Sequence, residues 1–127
     1  MIEGVAGVII WTDRLEEMSA FYRNSLGLEP HSVRPDFVAF RWGDVRLSIG
    51  AHTLVKGGAK DPYRIMVNLS VRDIHSYYKD ALGRGVRFVR PPEQEHWGGY
   101  VATLEDPDGN LVQLLELRDA KGKPYQQ

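Results

Sequence analysis

Few groupings in this sequence bring together side chains that could bind a metal or move a proton. Cysteine is absent, which removes disulfides, thiolate metal sites and thiol nucleophiles together. The four histidines, His31, His52, His75 and His96, never stand two or four residues apart, so no pair occurs at a spacing that puts two ligands on one face of a strand or helix. His75 sits beside a helix start, and His31 and His52 lie at element edges. The one grouping with acid and base character is Glu93, Glu95 and His96 in the segment EQEHWGG, where Trp97 stands next to two glycines. Trp11, Trp42 and Trp97 offer the other kind of chemistry, broad planar surfaces on which a ring can stack.

Composition bounds the partners. The chain has 127 residues, a common size for one domain, with 16 basic and 17 acidic residues and a formal net charge of −1. No run of Lys or Arg forms a stripe for nucleic acid, which is therefore not an expected partner. No apolar stretch approaches a membrane span and the N-terminus lacks a signal-peptide pattern, so no membrane partner is expected and the expected compartment is the cytoplasm.

The elements that must position these residues are written twice. Residues 100–116 (YVATLEDPDGNLVQLLE) read as strand, turn and strand, with Pro107 presetting φ and Gly109 taking a left-handed position. Residues 37–50 (FVAFRWGDVRLSIG) repeat the pattern around Gly43-Asp44. Ahead of each hairpin come a strand (5–11; 64–71), a helix start (Asp13 with Glu16 as a capping box; Asp73) and a glycine stop (Gly27; Gly83 to Gly85). Leu15 and Ile74 stand 59 apart, Gly27 and Gly85 58 apart, and Leu47 and Gln113 66 apart, so the second copy carries a short insert before its hairpin. Leu15, Met18, Tyr22 and Leu26 form one buried helical stripe, with Phe21 beside it, and Ile74, Tyr77, Tyr78, Ala81 and Leu82 form the other. The first strand is an apolar run, consistent with cover on both faces. A short strand over 30–34 precedes Pro35, and one over 86–89 ends at Pro91-Pro92. Residues 93–99 are a long loop, and 51–62 with Gly57-Gly58 connect the halves.

A βαβββ module written twice, with a helix such as RLEEMSAFYRNSLGL and a second half ending WGGYVATLEDPDGNLVQLLE, resembles the vicinal oxygen chelate superfamily. That group includes glyoxalase I, extradiol dioxygenases, methylmalonyl-CoA epimerase, and fosfomycin and bleomycin resistance proteins. The resemblance runs from about Gly4 to about Leu117. It implies an α+β fold in which two βαβββ modules, about 4–56 and about 61–117, form one domain: a curved mixed sheet cup with helices on the convex side and a polar C-terminal tail. It also implies a homodimer. Superfamily chemistry usually rests on a divalent metal held by the first and last strands of each module, and those positions fall on Gly7, Leu47, Met66 and Gln113. Three of them offer no suitable ligand, so no metal and no other cofactor is expected.

Alternation extends the inner face from these positions. If Leu47 faces the cup, then Val38, Phe40, Trp42, Val45 and Ile49 do also. Gly7 adds Ile9 and Trp11, Met66 adds Asn68 and Ser70, and Gln113 adds Leu111 and Leu115 with Tyr100 and Ala102 opposite. The expected inner face is apolar and aromatic, without an ionisable side chain. Trp11, Phe40, Trp42, Leu47, Met66, Asn68, His96, Trp97, Tyr100 and Gln113 are the expected ligand-binding residues. By resemblance to the bleomycin resistance group, the expected function is metal-independent binding, or sequestration, of a hydrophobic or aromatic small molecule. A lyase, isomerase or dioxygenase using a non-standard site is the alternative, with Glu93, Glu95 and His96 as its acid and base candidates.

Overall fold

The computed structural model describes residues 1–118 and 121–123; part of the expected C-terminal tail lies outside them. The chain forms two compact units, Met1–Gly58 and Ala59–Gln127. Each is a βαβββ module with a four-stranded mixed sheet, and the protein is an α+β fold.

In the first unit, β1 (Gly7–Thr12) runs into α1 (Leu15–Ala20), which widens into a π-helical turn over Phe21–Ser25, followed by β2 (Ser32–Arg34), β3 (Phe37–Trp42) and β4 (Val45–Ala51). The strand order is β1-β4-β3-β2, with β1 parallel to β4 and the other pairs antiparallel. The π turn is set by hydrogen bonds from Leu26 N–H to Phe21 O (2.9 Å) and Leu28 N–H to Tyr22 O (3.0 Å). It keeps Tyr22 and Leu26 on the buried stripe begun by Met18. The hairpin closes as its sequence requires: Gly43 has φ +58° and Trp42 pairs with Val45.

Two local expectations for this unit change. Asp13 does not cap α1. The helix starts at Arg14 without a side-chain cap, Thr12 Oγ1 accepts the Arg14 N–H at 2.9 Å, and Asp13 Oδ2 instead accepts the Gly57 N–H at 3.1 Å. The carboxylate anchors the glycine connector, a contact between residues far apart in sequence that local helix signals do not encode. The first strand is also not covered on both faces, because it lies at the sheet edge and Val8 and Ile9 are 41% and 47% exposed.

The second unit contains β5 (Val67–Ser70), α2 (Ile74–Gly83), β6 (Arg87–Gln94), β7 (Tyr100–Glu105) and β8 (Leu111–Glu116), in the order β5-β8-β7-β6. Here the cap forms as expected: Asp73 Oδ1 accepts the Ser76 N–H (3.2 Å) and Oδ2 accepts its hydroxyl (2.9 Å). A second carboxylate joins it, since buried Glu116 accepts the Ile74 N–H at 3.1 Å and pairs with Arg118. In the hairpin turn, Asp106 Oδ1 accepts the N–H groups of Asp108 (3.0 Å) and Asn110 (2.9 Å), and Oδ2 accepts Asn110 Nδ2 (2.9 Å). The prolines do not end β6. Being an edge strand, it passes through Pro91 and Pro92 with register shifts between Phe88, Arg90 and Glu93, and continues to Gln94. The loop shrinks to a turn in which Glu95 N–H donates to Gly99 O at 2.8 Å.

Candidate functional site

Each sheet has one face against its helix and one face turned away from it. In the first unit α1 packs on β4. The residues beneath it are the alternate set Val38, Phe40, Leu47 and Ile49, with Phe40 0% and Leu47 3% exposed. These were expected in the cup, and the structure places them on the opposite side. Trp42 and Val45 belong to the same face at the hairpin end, where no helix reaches, and Trp42 is 49% exposed. The reason is the two-residue period of a strand: taking Leu47 rather than its neighbour as the inward position reverses every side chain of the hairpin.

The open face of the first unit is therefore built from the other set. Register carries one row across all four strands, from Trp11 to Gly50 to Phe37 to Arg34. Gly50 explains how two large rings share that row. A Cβ at Gly50 would lie 2.6 Å from Trp11 Cζ3 and 2.9 Å from Phe37 Cδ2, so both rings rest against bare backbone. The ring centroids of Trp11 and Phe37 are 6.2 Å apart, and the His52 ring stands edge-on to Trp11 at 5.1 Å. His52 is fixed in turn, its Nδ1 accepting the Leu54 N–H at 3.0 Å. Trp11 remains 40% exposed, and the two ring planes, 57° apart, form an angled aromatic shelf on the open face.

Charge borders this shelf. His31, Ser32, Arg34, Asp36, Phe37, Ala39 and Arg46 line an open cavity of about 470 Å³. Arg46 pairs with Arg41 directly across the β3–β4 ladder on the same face. The expectation of an inner surface without ionisable groups is thus overturned for this unit.

In the second unit α2 packs on β6, β7 and β8. Tyr100, expected in the cup, stands on the helix side with its ring 5.1 Å from that of His75, and Ala102 shares that side, paired with buried Leu114. The opposite face carries Asn68, Gln113, Thr103 and Arg90 as a cross-strand row, so Asn68 and Gln113 do sit side by side as alternation predicts. Arg90 is held by Glu93 (2.6 Å) and Glu95 (2.9 Å), in that order the causes that raise its pKa. Two of the three acid and base candidates are thereby occupied. His96 is exposed on the 95–99 turn. Trp97 folds over Gly99, where a Cβ would lie 1.8 Å from its Cζ3. Met66 is half-buried just ahead of β5.

The residues at the four metal positions do not fit a divalent ion. Gly7 has no side chain, and a Cβ there would lie 2.3 Å from Arg46 O, so the close β1–β4 approach excludes a ligand at that point. Leu47 is apolar and lies on the helix side. Met66 offers a soft thioether, and only Gln113 supplies an oxygen. Among the described residues, no three His, Asp or Glu side chains gather where they could hold a metal.

Residues 4–114 match the model of the Glyoxalase/Bleomycin resistance protein/Dioxygenase superfamily, and the chain belongs to that superfamily. It is 25% identical over 123 residues to the uncharacterized protein YetH of Bacillus subtilis, covering 91% of this chain and all of that one. It is 29% identical over 83 residues to a bleomycin resistance protein of Klebsiella pneumoniae, covering 58% of this chain and 62% of the relative. A crystal structure of a glyoxalase/bleomycin resistance protein/dioxygenase from Nocardioides has the same fold, with a TM-score of 0.77 at 22% identity, covering 100% of this chain and 91% of that one.

Phe37, His52, Arg34 and Arg46 were not among the residues expected from sequence. For the strand members the signal was present: in 37–50 the polar positions Arg41, Arg46 and Ser48 alternate with the apolar set, and a stripe as apolar as Met18, Tyr22 and Leu26 needs the apolar set beneath it. The placing of His52 depends on the path of the connector.

Proposed function

We propose that the protein binds a planar aromatic small molecule without a metal, on the open face of its first unit. The shelf of Trp11 and Phe37 over Gly50 carries this reading: two rings are held in place before any ligand arrives, so little conformational freedom is lost on binding. The similarity to the bleomycin resistance protein of Klebsiella pneumoniae supports a binding or sequestering role over turnover. The same proposal includes a cytoplasmic homodimer, supported by the apolar, exposed edge strand β1 and by the lack, among the described residues, of any helix long and apolar enough to cross a membrane. Asn68 and Gln113 on the second unit's open face, with Met66, His96 and Trp97 near it in sequence, remain candidate contacts. Phe40 and Leu47 act from behind, as buried side chains of the layer beneath α1.

The test uses protein in which Trp42 and Trp97 are replaced by Phe, leaving Trp11 as the one fluorophore of its kind. A planar ligand is expected to quench it, and Trp11→Ala to weaken binding by about 1–3 kcal/mol, the range of an interface anchor. Ligand that quenches only when Trp42 or Trp97 is restored would move the site. Conversion of the ligand by metal-free protein, lost on replacing His96, would make it an enzyme.

A further inference from the structure

Some arginines of this chain are held by carboxylates. Arg14 pairs with Glu17, Arg64 with Asp61, Arg90 with Glu93 and Glu95, and Arg118 with Glu116. On the open face of the first unit Arg34, Arg41 and Arg46 have no carboxylate within ion-pair distance among the described residues. Asp36 lines the same cavity and pairs with none of them. Arg41 and Arg46 also oppose each other directly across the ladder, an arrangement that costs stability because like charges at opposed positions repel. Solvent weakens that repulsion without removing it.

The position of the charge gives it a direction. Arg34 ends the row that begins with Trp11, and Phe37, between them, both forms the shelf and lines the cavity that holds Arg34 and Arg46. Neighbouring strands lie about 4.8 Å apart, so a flat ring set against Trp11 and Phe37 reaches Arg34 with a substituent one strand further along, and Arg46, four residues from Gly50 on β4, lines the same cavity. Guanidinium forks match the two oxygens of a carboxylate in plane and bind them by charge-assisted hydrogen bonds. The cavity is a small-molecule site in size, and the chain's net charge of −1 gives no general attraction for polyanions.

We propose that Arg34 and Arg46 form an anion site at the end of the aromatic shelf, and that the ligand class is a planar aromatic acid, its ring on Trp11 and Phe37 and its carboxylate toward the two guanidinium groups. This rests on the aromatic-binding reading above and narrows it. Ser32 and His31 supply further hydrogen-bonding groups beside the arginines, and Asp36 disfavours a second negative group at that edge, so a monoacid is preferred.

The probes are 2-naphthoate and its methyl ester, equal in ring and different in charge, titrated by Trp11 fluorescence and by the arginine Nε–H resonances. Naphthoate is expected to bind about ten- to a hundredfold more tightly than the ester, the worth of hydrogen bonds to a charged group. The gap should close in Arg34→Gln/Arg46→Gln and narrow with added salt, while Arg64→Gln leaves it unchanged. All three replaced residues are exposed and Arg46→Gln removes a like-charge pair, so no variant should melt below the parent. Equal affinity of acid and ester, or a gap that survives the double substitution, overturns the anion site and leaves aromatic binding standing. If neither naphthalene binds, inorganic phosphate separates the two ideas. Shifts of the Arg34 and Arg46 resonances with phosphate keep the anion site and remove the aromatic one, and no shift removes both.

Discussion

The two units repeat one chain path and dress its open face differently. In the first, the cross-strand row Trp11, Gly50, Phe37 and Arg34 is aromatic and ends in an unneutralised cation; in the second, the row Asn68, Gln113, Thr103 and Arg90 is hydrogen-bonding, and its cation is held by Glu93 and Glu95. Their helices differ in the opposite sense. The first is short, uncapped by any side chain and continued by a π turn, whereas the second has ten residues and two carboxylates at its start. One βαβββ frame therefore tolerates separate changes to its two faces, because strand alternation isolates them. Open-face residues can vary without disturbing the layer beneath the helix.

That isolation is broken most severely from the helix side. Phe40→Ala is expected to cost about 3–5 kcal/mol in denaturant unfolding, since the ring is wholly buried under α1. Arg41→Ala, one residue along, should change stability by less than about 0.5 kcal/mol as an exposed substitution. Comparable losses at both positions would mean that the faces are not assigned as described.

This contrast also shows what the sequence made legible. The doubling, the element order, both hairpins and the pairing of Phe40 with Leu47 and Trp42 with Val45 follow from turn residues and alternation, because they are local. Which face of the first hairpin looks outward is not local. It hangs on which residue of β4 matches the superfamily's ligand position, and placing that position on Leu47, one residue off, exchanges Phe40, Leu47 and Trp42 for Phe37, Arg41 and Arg46. In the second unit the corresponding position, Gln113, is polar between apolar Val112 and Leu114, and alternation alone orients that strand correctly. Asp13 and Pro91-Pro92 misled for another reason: a distant amide captured the carboxylate, and an edge strand absorbed the prolines with bulges.

The helix starts sharpen the comparison at the next level. Glu116→Gln removes a buried charge that accepts the Ile74 N–H and pairs with Arg118, and about 1–3 kcal/mol of stability should go with it, as for a buried polar group left imperfectly satisfied. Hydrogen exchange should rise first at the start of α2 and leave the first unit unchanged. Equal loss of protection in α1 would show that the two units do not unfold separately.

On the open faces, Trp11→Ala should weaken an aromatic acid about tenfold or more, while Arg90→Gln in the second unit should leave its affinity within about twofold, because that guanidinium is already committed to Glu93 and Glu95. Titration of both variants with 2-naphthoate checks this. A larger effect at Arg90 would transfer the ligand to the second unit's face.

The smallest expected effect separates the capped helix from the uncapped one by pH. Asp73 has its pKa held below the usual carboxylate value, first by the Ser76 N–H and then by the Ser76 hydroxyl, both of which donate to the ionised form. A carboxylate with a depressed folded-state pKa contributes stability that is present above its unfolded-state pKa and is lost as pH falls through the folded-state value. Acidification from neutral pH toward 3 should therefore loosen the first turn of α2 in the parent protein. Asp73→Asn keeps an acceptor for the Ser76 N–H and removes the titration, so its α2 amides should lack that component of the acid response while the rest of the acid transition persists. Because the cap is exposed to solvent, the difference should be small and confined to that turn. Identical acid profiles for α2 in parent and variant would assign the local pH response to another group.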